Sequence, residues 1–531
     1  MRRWNGWGDE ATVVDLPAHG EAFLAELIGS GQKLADATLA EVLAKVPASR
    51  LADHPLVLTN AEDRVRHARG QSLPDWLAMR SGDFGVFPDG VAYPETAAQI
   101  RELMSWAVEH NVLLIPYGGG TSVAGHINPQ AGDQPVLCLS LERMSRLLDL
   151  DEQSQIATFG PGANGPQVES QLRARGYTLG HFPQSWELST LGGWVVTRSS
   201  GQQSLRYGRI EQVFAGGKLE TFAGTLEIPT FPASAAGPDL RELVMGSEGR
   251  FGIVSEVKVR VTRLAEQERF YAVFFPSWQL ALLAIRELTQ ARVPLSMLRL
   301  SNAIETQTQL ALAGHPGQIG LLEKYLALRG AGVGKCMMTF GVTGNRGQNA
   351  ASLKQAKKLL KAFAGVFTGT LLGSKWAEGR FRFPYLRHGL WDAGYAVDTL
   401  ETATDWSNVD NLLNKVEASL RDGLSAEGER VHVFTHLSHV YGEGSSIYTS
   451  YVFRPASTYA GTFERWQKLK HAACSAIANN RGTISHQHGV GRDHAPYLAV
   501  EKGELGMAAL KAMAGHFDPD GRLNPGVLLQ D

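Results

Sequence analysis

The chain has 531 residues, too many for a single hydrophobic core, so its length predicts two or three domains. Its formal net charge is −2 with both signs interspersed, which gives no electrostatic basis for binding nucleic acid. The three cysteines (Cys138, Cys336 and Cys474) stand far apart, which excludes a disulfide framework and argues against a thiolate metal site.

Targeting and membrane signals are missing from the sequence. No run approaches the roughly eighteen uninterrupted apolar residues of a transmembrane helix. The residues after Met1 lack the apolar stretch of a secretory leader. These features predict a cytoplasmic protein, for which a peripheral membrane contact is still open.

The pattern of apolar residues predicts alternating helices and strands, with a change of composition after residue 263. Residues 18–48 show helical periodicity. Next come an extended segment at 91–94, a helix at 95–110, strands at 112–116, 136–141, 147–150 and 156–159, a helix at 165–175 and a strand at 253–262. Beyond residue 263 we expect strands at 271–275, 298–300, 337–342, 431–437 and 447–453, and helices at 279–291, 352–363, 407–420 and, last, 459–479.

Three glycine-rich segments stand next to strand-like runs: PYGGGTS at 116–122, QSWELSTLGG at 184–193 and GSEGRFGIV at 246–254. Glycines let backbone N–H groups approach a pyrophosphate, and Thr121 and Ser122 add hydroxyl donors. One such loop could simply be a tight turn. Three in this order predict a cofactor that carries a diphosphate.

Two common phosphate-binding motifs are excluded by spacing. A Rossmann site needs G-x-G-x-x-G opening a helix after a strand, with an acidic residue about twenty positions on. The glycines at 118–120 do not follow that spacing, and no G-x-x-x-x-G-K-[ST] occurs.

The distribution of these segments resembles flavoproteins of the vanillyl-alcohol oxidase type, which share the p-cresol methylhydroxylase (PCMH) fold. The tail DPDGRLNPG at 518–526 is similar to their C-terminal segment, which returns to the flavin. The resemblance implies an α+β protein with a PCMH-type two-subdomain FAD-binding domain and an α+β substrate (cap) domain. The expected division is a helical region at 1–85, the FAD-binding domain at 86–263, the cap domain at 264–480 and the returning segment at 481–531.

The resemblance also implies which residues bind the cofactor. Relatives that tether flavin use a His or Cys beside the ring, and loop 118–122 has neither, so we expect non-covalent FAD. The residues assigned to FAD are Pro116, Tyr117, Gly118, Gly119, Gly120, Thr121, Ser122, Gln184, Ser185, Trp186, Glu187, Leu188, Ser189, Thr190, Gly193, Thr197, Arg198, Ser199, Ser200, Glu248, Gly249, Arg250, Phe251, Gly252, Ile253, Val254 and Asn524.

Within that group, most of the chain is similar to the alkyldihydroxyacetonephosphate synthase (alkylglycerone-phosphate synthase) family of ether-lipid enzymes. The segments that carry the resemblance are WNGWG at 4–8, STLGGW at 189–194, TRSSG at 197–201, YGRIE at 207–211, LET at 400–402, SSIY at 445–448 and SHQHGVG at 485–491. The resemblance implies that a fatty alcohol replaces the acyl chain of acyl-dihydroxyacetone phosphate through an adduct between flavin N5 and substrate C1, without net oxidation.

The same resemblance assigns the reacting side chains. Tyr448 is the expected acid/base, helped by His486 and His488, and Arg387 and Arg299 are expected to bind substrate. Because a phenol near pKa 10 is a poor base at neutral pH, we expect neighbouring cations or histidines to lower the pKa of Tyr448. Each residue also has an ordinary alternative: a packed strand tyrosine, structural histidines, or an arginine in a surface ion pair.

Two departures from the family leave other functions open. The family's three consecutive histidines read His486-Gln487-His488 here, and Arg250 replaces a residue that is usually threonine. The main rival is an FAD-linked D-2-hydroxyacid (lactate or glycolate type) dehydrogenase or oxidase, and a non-enzymatic flavin-binding scaffold is a third interpretation. A metal site built from the histidines is not expected, since no carboxylate or cysteine completes a set in sequence. A homodimer is left open.

Overall fold

The computed structural model describes residues 1–312 and 316–530, and within them most strands belong to sheets of four, five and seven strands. A two-strand ladder pairs Tyr177–Thr178 with Thr262–Arg263. Helices cover or connect these sheets, so the architecture is α+β, as the sequence predicted.

The four-stranded sheet carries the first glycine-rich segment. Its strands run in the order Val57–Leu58, Gly90–Ala92, Val136–Ser140 and Leu113–Tyr117. Strand Val136–Ser140 pairs in parallel with both of its neighbours. The loop of glycines 118–120 therefore leaves the carboxyl end of a buried parallel strand, where open sheets of this kind place their ligands.

The five-stranded sheet is antiparallel and carries the third glycine-rich segment. Its strands run in the order Leu147–Asp151, Ile156–Phe159, Ile253–Arg260, Phe214–Thr221 and Gly224–Ile228. The central strand Ile253–Arg260 alternates buried and half-buried positions over most of its length, as its apolar-polar pattern predicted.

The seven-stranded sheet is antiparallel and carries Tyr448, the residue expected to act as acid/base, and Arg299. Its strands run in the order Val366–Phe367, Gln267–Phe275, Cys336–Gly344, Met297–Ser301, His432–Leu437, Gly444–Phe453 and Ala396–Asp405. The register places Tyr448 opposite His436 on one side and opposite Glu401 on the other. Directly opposed residues lie within about 5.5 Å at Cβ, so this register brings three polar side chains together.

The helices range from single turns to five or six turns. They are Ala18–Ile28, Leu39–Leu43, Ala61–Arg66, Leu73–Ser81, Ala97–Glu109, Gly165–Arg173, Leu191–Val196, Ser204–Tyr207, Ile210–Val213, Arg241–Val244, Trp278–Gln290, Ala303–Leu312, Pro316–Leu328, Arg346–Ala362, Leu371–Gly379, Phe383–Asp392, Val409–Asp422, Tyr459–Asn479 and Leu498–Phe517. None of those within the described ranges is both long and apolar enough to cross a membrane.

Several elements differ from the sequence prediction. Strand Ala396–Asp405 was missed because Asp398, Glu401 and Thr402 occupy buried positions that the pattern reads as solvent-facing. Helix Leu498–Phe517 was missed as well, and a break at Gly503 (φ 67°) interrupts its periodicity. Residues 18–48, expected to be helical throughout, form two short helices with an irregular segment between them.

A segment near the carboxyl end closes the four-stranded sheet. Leu523 forms a parallel bridge with Leu114, and the Asn524 N–H donates to the Leu114 carbonyl (2.8 Å). The Arg250 guanidinium donates to the Leu523 carbonyl (2.9 Å). Residues 522–524 thus lie beside the strand that leads into the glycine loop.

Candidate active site

A cavity of about 440 Å³ lies between the glycine-rich loops and the seven-stranded sheet. This volume is within the roughly 300–1,000 Å³ typical of cofactor and small-molecule sites. Of the residues assigned to FAD, those that line it are Pro116, Tyr117, Gly118, Gly119, Gly120, Thr121, Ser122, Gln184, Ser185, Ser189, Thr190, Gly193, Thr197, Ser199, Glu248, Gly249, Gly252, Val254 and Asn524. The expected substrate and catalytic residues Arg299, Arg387, Tyr448 and His488 line the same cavity.

Glycine is required in the 116–122 loop because the 184–193 loop packs directly against it. A Cβ on Gly119 would collide with the Leu188 carbonyl, and one on Gly118 would collide with the Thr190 hydroxyl. Gly120 has a φ of +64°, a conformation that side chains rarely adopt. The two loops therefore approach each other closely only because positions 118 and 119 carry no side chain.

The donors along these loops fit an anionic cofactor. Thr190 Oγ1 is buried at the contact with Gly118 and has no hydrogen-bond partner. A buried hydroxyl without a partner is costly, so a bound acceptor would stabilise it.

The side chain of Asn524 donates to the Glu248 carbonyl (2.9 Å), which fastens the tail to the third loop. The carboxylate of Glu248 accepts from the N–H groups of Val490 and Gly491 (2.6 and 2.7 Å).

His126, which also lines the cavity, is held by neighbours on both ring nitrogens. Its Nδ1 lies 2.6 Å from the Ser122 hydroxyl. Its Nε2 lies 3.0 Å from a carboxylate oxygen of Glu248. Both nitrogens thus face protein groups, and non-covalent binding of FAD stays a prediction.

Tyr448 lies between two imidazoles at the cavity wall. Its ring stacks on His436, with centroids 4.8 Å apart, and meets His488 edge-on at 5.8 Å. Its hydroxyl donates to the Thr399 hydroxyl (3.1 Å). Burial raises the pKa of Tyr448, an effect that outweighs the opposing effect of its hydrogen bond to Thr399. The expectation of a lowered pKa was therefore wrong: this phenol is neutral at pH 7.

The charge of Arg299 is balanced by a carboxylate of the protein. Its guanidinium pairs with the buried carboxylate of Glu305, which also accepts from His436 Nδ1 (2.9 Å). Burial alone would raise the pKa of Glu305, but His436 and Arg299 lower it to about 2. Arg299 thus reaches the cavity as one member of a compensated cluster of three side chains.

Arg387 has no such carboxylate partner among the hydrogen bonds and ion pairs of the described residues. Its Nη1 donates to the Gln71 carbonyl (2.6 Å), and its guanidinium carbon lies 4.3 Å from the centre of the Trp76 ring. Its Nη2 is buried without a hydrogen-bond partner. Burial lowers the pKa of Arg387 to about 10, so it stays charged at neutral pH. It is therefore the cation best placed to hold an anion in the cavity.

His486 does not line the cavity but lies behind it. Its Nε2 contacts the Tyr441 hydroxyl (2.6 Å), and its Nδ1 lies 3.4 Å from Glu401. Gln487 donates to Glu401 (2.5 Å) and accepts from the Ser200 N–H (3.3 Å). The residue in place of the family's middle histidine therefore links the seven-stranded sheet to the loop after the second glycine segment.

Glu401, His439 and His486 bring ligand-type atoms within 4.8 Å of one another, a set that sequence spacing could not reveal. Burial would raise the pKa of Glu401, but His486 and the other nearby imidazoles lower it well below its usual range. Ser438 also donates to this carboxylate (2.6 Å). The group thus forms a hydrogen-bonded protein network, and the absence of a metal stays a prediction.

The remaining residues assigned to FAD, all within the described ranges, lie outside the cavity lining. Arg198 pairs with Glu211 and Glu242, and Phe251 packs near Phe517. The full set is Trp186, Glu187, Leu188, Arg198, Ser200, Arg250, Phe251 and Ile253.

Other lining residues were not predicted. Trp7, Gln71, Thr399, Glu305 and His436 are polar or aromatic groups brought in from distant segments. An apolar wall was also missed; it consists of Leu312, Phe383, Leu386, Leu390, Val397 and Phe434. The only signal for part of it was the spacing of 383, 387 and 390 on one helix face.

Comparisons with known proteins agree with this architecture. The family model for the FAD binding domain matches residues 88–227, and that for the C-terminal domain of FAD linked oxidases matches residues 264–528. The chain is 28% identical over 567 aligned positions to alkyldihydroxyacetonephosphate synthase of Trypanosoma brucei brucei, covering 99% of this chain and 92% of the relative. It is 29% identical to the enzyme of the same name from Dictyostelium discoideum, covering 88% of this chain and 77% of the relative.

A solved structure of an alkyldihydroxyacetonephosphate synthase superposes with a TM-score of 0.84 at 24% identity, covering 99% of this chain and 98% of the other. At this identity the likeness establishes the fold. Together with the family models and the cavity that three glycine-rich loops line, it leads to one conclusion: this chain belongs to the PCMH-type family of FAD-linked flavoproteins, and its cofactor is FAD.

Proposed function

We propose that this protein is an alkyldihydroxyacetonephosphate synthase-like transferase, which exchanges the acyl chain of acyl-dihydroxyacetone phosphate for a long-chain alcohol. In this reaction the bond between C1 and the acyl oxygen breaks and a bond between C1 and the alcohol oxygen forms. A fatty acid leaves, and no external oxidant is consumed. The observation that carries the proposal is a single cavity that combines a buried, uncompensated arginine, an apolar wall and a tyrosine between two imidazoles.

Arg387 would hold the phosphate of the substrate. A buried guanidinium with an unpartnered N–H group suits a phosphate oxygen, and the low dielectric strengthens the interaction. Arg299 would play a lesser part, because Glu305 already balances its charge. Binding of the substrate phosphate is thus expected to depend more on Arg387 than on Arg299.

The apolar wall would receive the hydrocarbon chain. Leu312, Leu386, Leu390, Val397 and Phe434 line the same cavity as Arg387. Burial of a methylene group contributes about 0.8 kcal/mol, so a long chain gains substantial binding free energy from such a wall. Small hydroxyacids would leave that surface unused.

Tyr448 and His488 would move the proton at C1. Since Tyr448 is neutral at pH 7, it must give up its own proton before it can accept one from the substrate. Burial lowers the pKa of His488, which keeps this imidazole neutral and able to accept that proton. The FAD isoalloxazine, when bound, supplies an electron-accepting ring for the substrate carbon.

One assay tests the proposal against its rivals. The purified yellow protein is incubated without oxygen with palmitoyl-dihydroxyacetone phosphate and hexadecanol while flavin absorbance and released palmitate are followed. Alkyl product without an electron acceptor supports the transferase. Bleaching by D-lactate or a similar hydroxyacid, reversed by an electron acceptor, would instead indicate a dehydrogenase. A protein that holds flavin and responds to none of these substrates would be a scaffold.

Long-chain substrates make contact with a membrane surface useful, and a homodimer is compatible with the sequence. Both stay predictions. Flotation with liposomes and light scattering of the purified protein test them separately.

A further inference from the structure

Residues 1–10 form a closed hairpin, here called the amino-terminal hairpin. Arg2 and Asp9 form an antiparallel bridge, and the Arg3 N–H donates to the Gly8 carbonyl (2.8 Å). The Glu10 N–H donates to the Met1 carbonyl (2.9 Å). The tip of this hairpin carries the WNGWG motif, for which the proposed reaction provides no role.

One end of the hairpin contacts the loop at 116–122, here called the flavin phosphate loop. The Arg2 guanidinium donates to the Gly119 carbonyl (2.6 Å) and to the Tyr117 hydroxyl (3.2 Å). Arg66 in turn donates to the Arg2 carbonyl (2.8 Å), which fixes the hairpin backbone. A cation of the hairpin therefore holds the backbone of the loop whose N–H groups would bind the diphosphate.

The tip contacts the helix that carries Arg387. His388 Nε2 lies 3.0 Å from the Trp7 carbonyl, and its Nδ1 lies 2.8 Å from the Arg80 guanidinium. Burial lowers the pKa of His388 to about 3, so the ring is neutral. Since Arg80 can only donate, His388 must accept at Nδ1 and donate from Nε2 to Trp7. The residue next to Arg387 is thus oriented by the hairpin.

Two glycines allow this contact. A Cβ on Gly6 would collide with the ring of His388, and one on Gly8 would collide with the ring of Tyr385. Gly8 also has a φ of +80°, whereas Gly6 has no such backbone constraint. At Gly6 the need for glycine therefore comes from close packing, chiefly against His388 on the Arg387 helix and, less severely, against the ring of Trp76.

Gln71 joins the three parts. Its N–H donates to the Ser122 carbonyl at the end of the phosphate loop (2.6 Å), and its carbonyl accepts from Arg387 (2.6 Å). Its side chain donates to the Gly6 carbonyl (3.2 Å). One buried residue thus links the phosphate loop, the arginine and the hairpin.

We propose that the amino-terminal hairpin is a positioning element, which sets Arg387 at a fixed distance from the flavin phosphate loop. Arg2 holds the loop, Trp7 holds the helix through His388, and Gln71 connects them. Retention of FAD and binding of an anionic substrate therefore depend on the same ten residues. The part that concerns substrate rests on the proposed role of Arg387, whereas the part that concerns FAD does not.

Gly6→Ala tests the contact with the Arg387 helix, and Gly132→Ala is its control because a Cβ there meets nothing within 4 Å. We expect Gly6→Ala to raise KM for palmitoyl-dihydroxyacetone phosphate by about tenfold or more, because displacement of a binding group by an ångström costs up to about a hundredfold. kcat should stay within about twofold of the parent value. In the FAD-loaded protein, amide hydrogen exchange over residues 383–392 should become faster, a readout that needs no substrate.

Arg2→Gln tests the contact with the phosphate loop. Arg3→Gln is its control because, among the described residues, the Arg3 side chain donates to the carbonyls of Glu10 and Thr12 and not to that loop. Removing the charged hydrogen bond from Arg2 should speed release of FAD by about tenfold, followed as flavin fluorescence after dilution. Arg3→Gln should match the parent.

The proposal is overturned if Arg2→Gln releases FAD no faster than Arg3→Gln, or if exchange over 383–392 is the same in Gly6→Ala and Gly132→Ala. If the parent protein lacks alkyl-exchange activity, the proposed function fails by itself. The exchange and flavin-release measurements still decide the role of the hairpin in that case.

Discussion

The ring of His436 stacks on that of Tyr448 at 4.8 Å with only 18° between their planes, while its Nδ1 binds the carboxylate of Glu305. The stacking holds one face of the tyrosine ring, and the phenol hydroxyl donates a hydrogen bond to the Thr399 hydroxyl. Tyr448 is therefore held in place by neighbouring strands, and these contacts of its ring do not depend on the hydroxyl.

Tyr448→Phe should abolish turnover while FAD stays bound. The ring would keep its stacking on His436, and only the proton-carrying hydroxyl would be lost. Loss of a general acid or base lowers the rate by about 10² to 10⁴. Steady-state alkyl exchange and the flavin absorbance of the same preparation provide the measurement. Thr399→Val, which removes only the acceptor of the phenol, should have a smaller effect. A Tyr448→Phe enzyme at the full parental rate would remove Tyr448 from the mechanism.

Gly119→Val should yield colourless protein. Its Cβ would meet the Leu188 carbonyl, so the phosphate loop and the 184–193 loop would be forced apart. The absorbance ratio at 450 and 280 nm of the purified variant measures flavin content, and circular dichroism shows whether the chain is folded. Gly132→Val, on open surface, should remain yellow. A folded Gly119→Val protein with normal flavin content would refute the assignment of the pyrophosphate to this loop.

Arg387→Met should raise KM for the phosphate-bearing substrate by about a hundredfold, as expected when a charged hydrogen bond of about 1.5–3 kcal/mol is lost. Arg387→Lys should recover part of the loss, because a point charge replaces the planar fork. KM from initial rates and thermal unfolding of each variant are measured together. Arg299→Met should instead lower stability, since it leaves the buried carboxylate of Glu305 without its arginine, with only His436 and the amide of Gln309 as partners among the described residues. Equal KM effects for both arginines would contradict the division of roles proposed here.

Asp493→Asn should stabilise the protein at pH 8 but not at pH 4. Burial raises the pKa of Asp493 from 3.8 to about 6, against the opposing effect of Lys470. The folded state therefore binds this proton more tightly than the unfolded state, and the group lowers stability as pH rises from about 4 to 6. Above that range the ionised carboxylate lowers the free energy of unfolding by at most about 3 kcal/mol, at 1.36 kcal/mol for each unit by which its pKa differs between the folded and unfolded states. Thermal unfolding of parent and variant across this range measures how much more stable the variant is. That gain must increase with pH; a gain that stays constant or falls would contradict the prediction.

The cofactor could be predicted from sequence because its signal is local. The glycines at 118–120 follow a buried strand directly, and the resemblance to known flavoproteins supplied the rest. Most elements beyond residue 263 were also predicted in type, and helix Tyr459–Asn479 has the predicted bounds. Glycine-rich loops and regular helices and strands depend on residues that are adjacent along the chain, so a single sequence is enough to predict them.

The surroundings of Tyr448 could not be predicted in the same way. His436 and Glu305 come from separate segments and meet it only through strand register and packing. Strand Ala396–Asp405 escaped detection because the polar residues that serve the site replace the apolar ones that would have marked it. The raised pKa of Tyr448 follows from burial, a quantity that the sequence does not contain.

The bridge between Leu114 and Leu523 has a consequence for biosynthesis. The ribosome makes these two residues some four hundred codons apart, yet the flavin loop follows the first of them directly. While residues 522–524 are still in the exit tunnel, the nascent protein has a sheet edge open beside that loop. The cofactor site is therefore complete only after translation has passed residue 524, so flavin loading follows the synthesis of that segment.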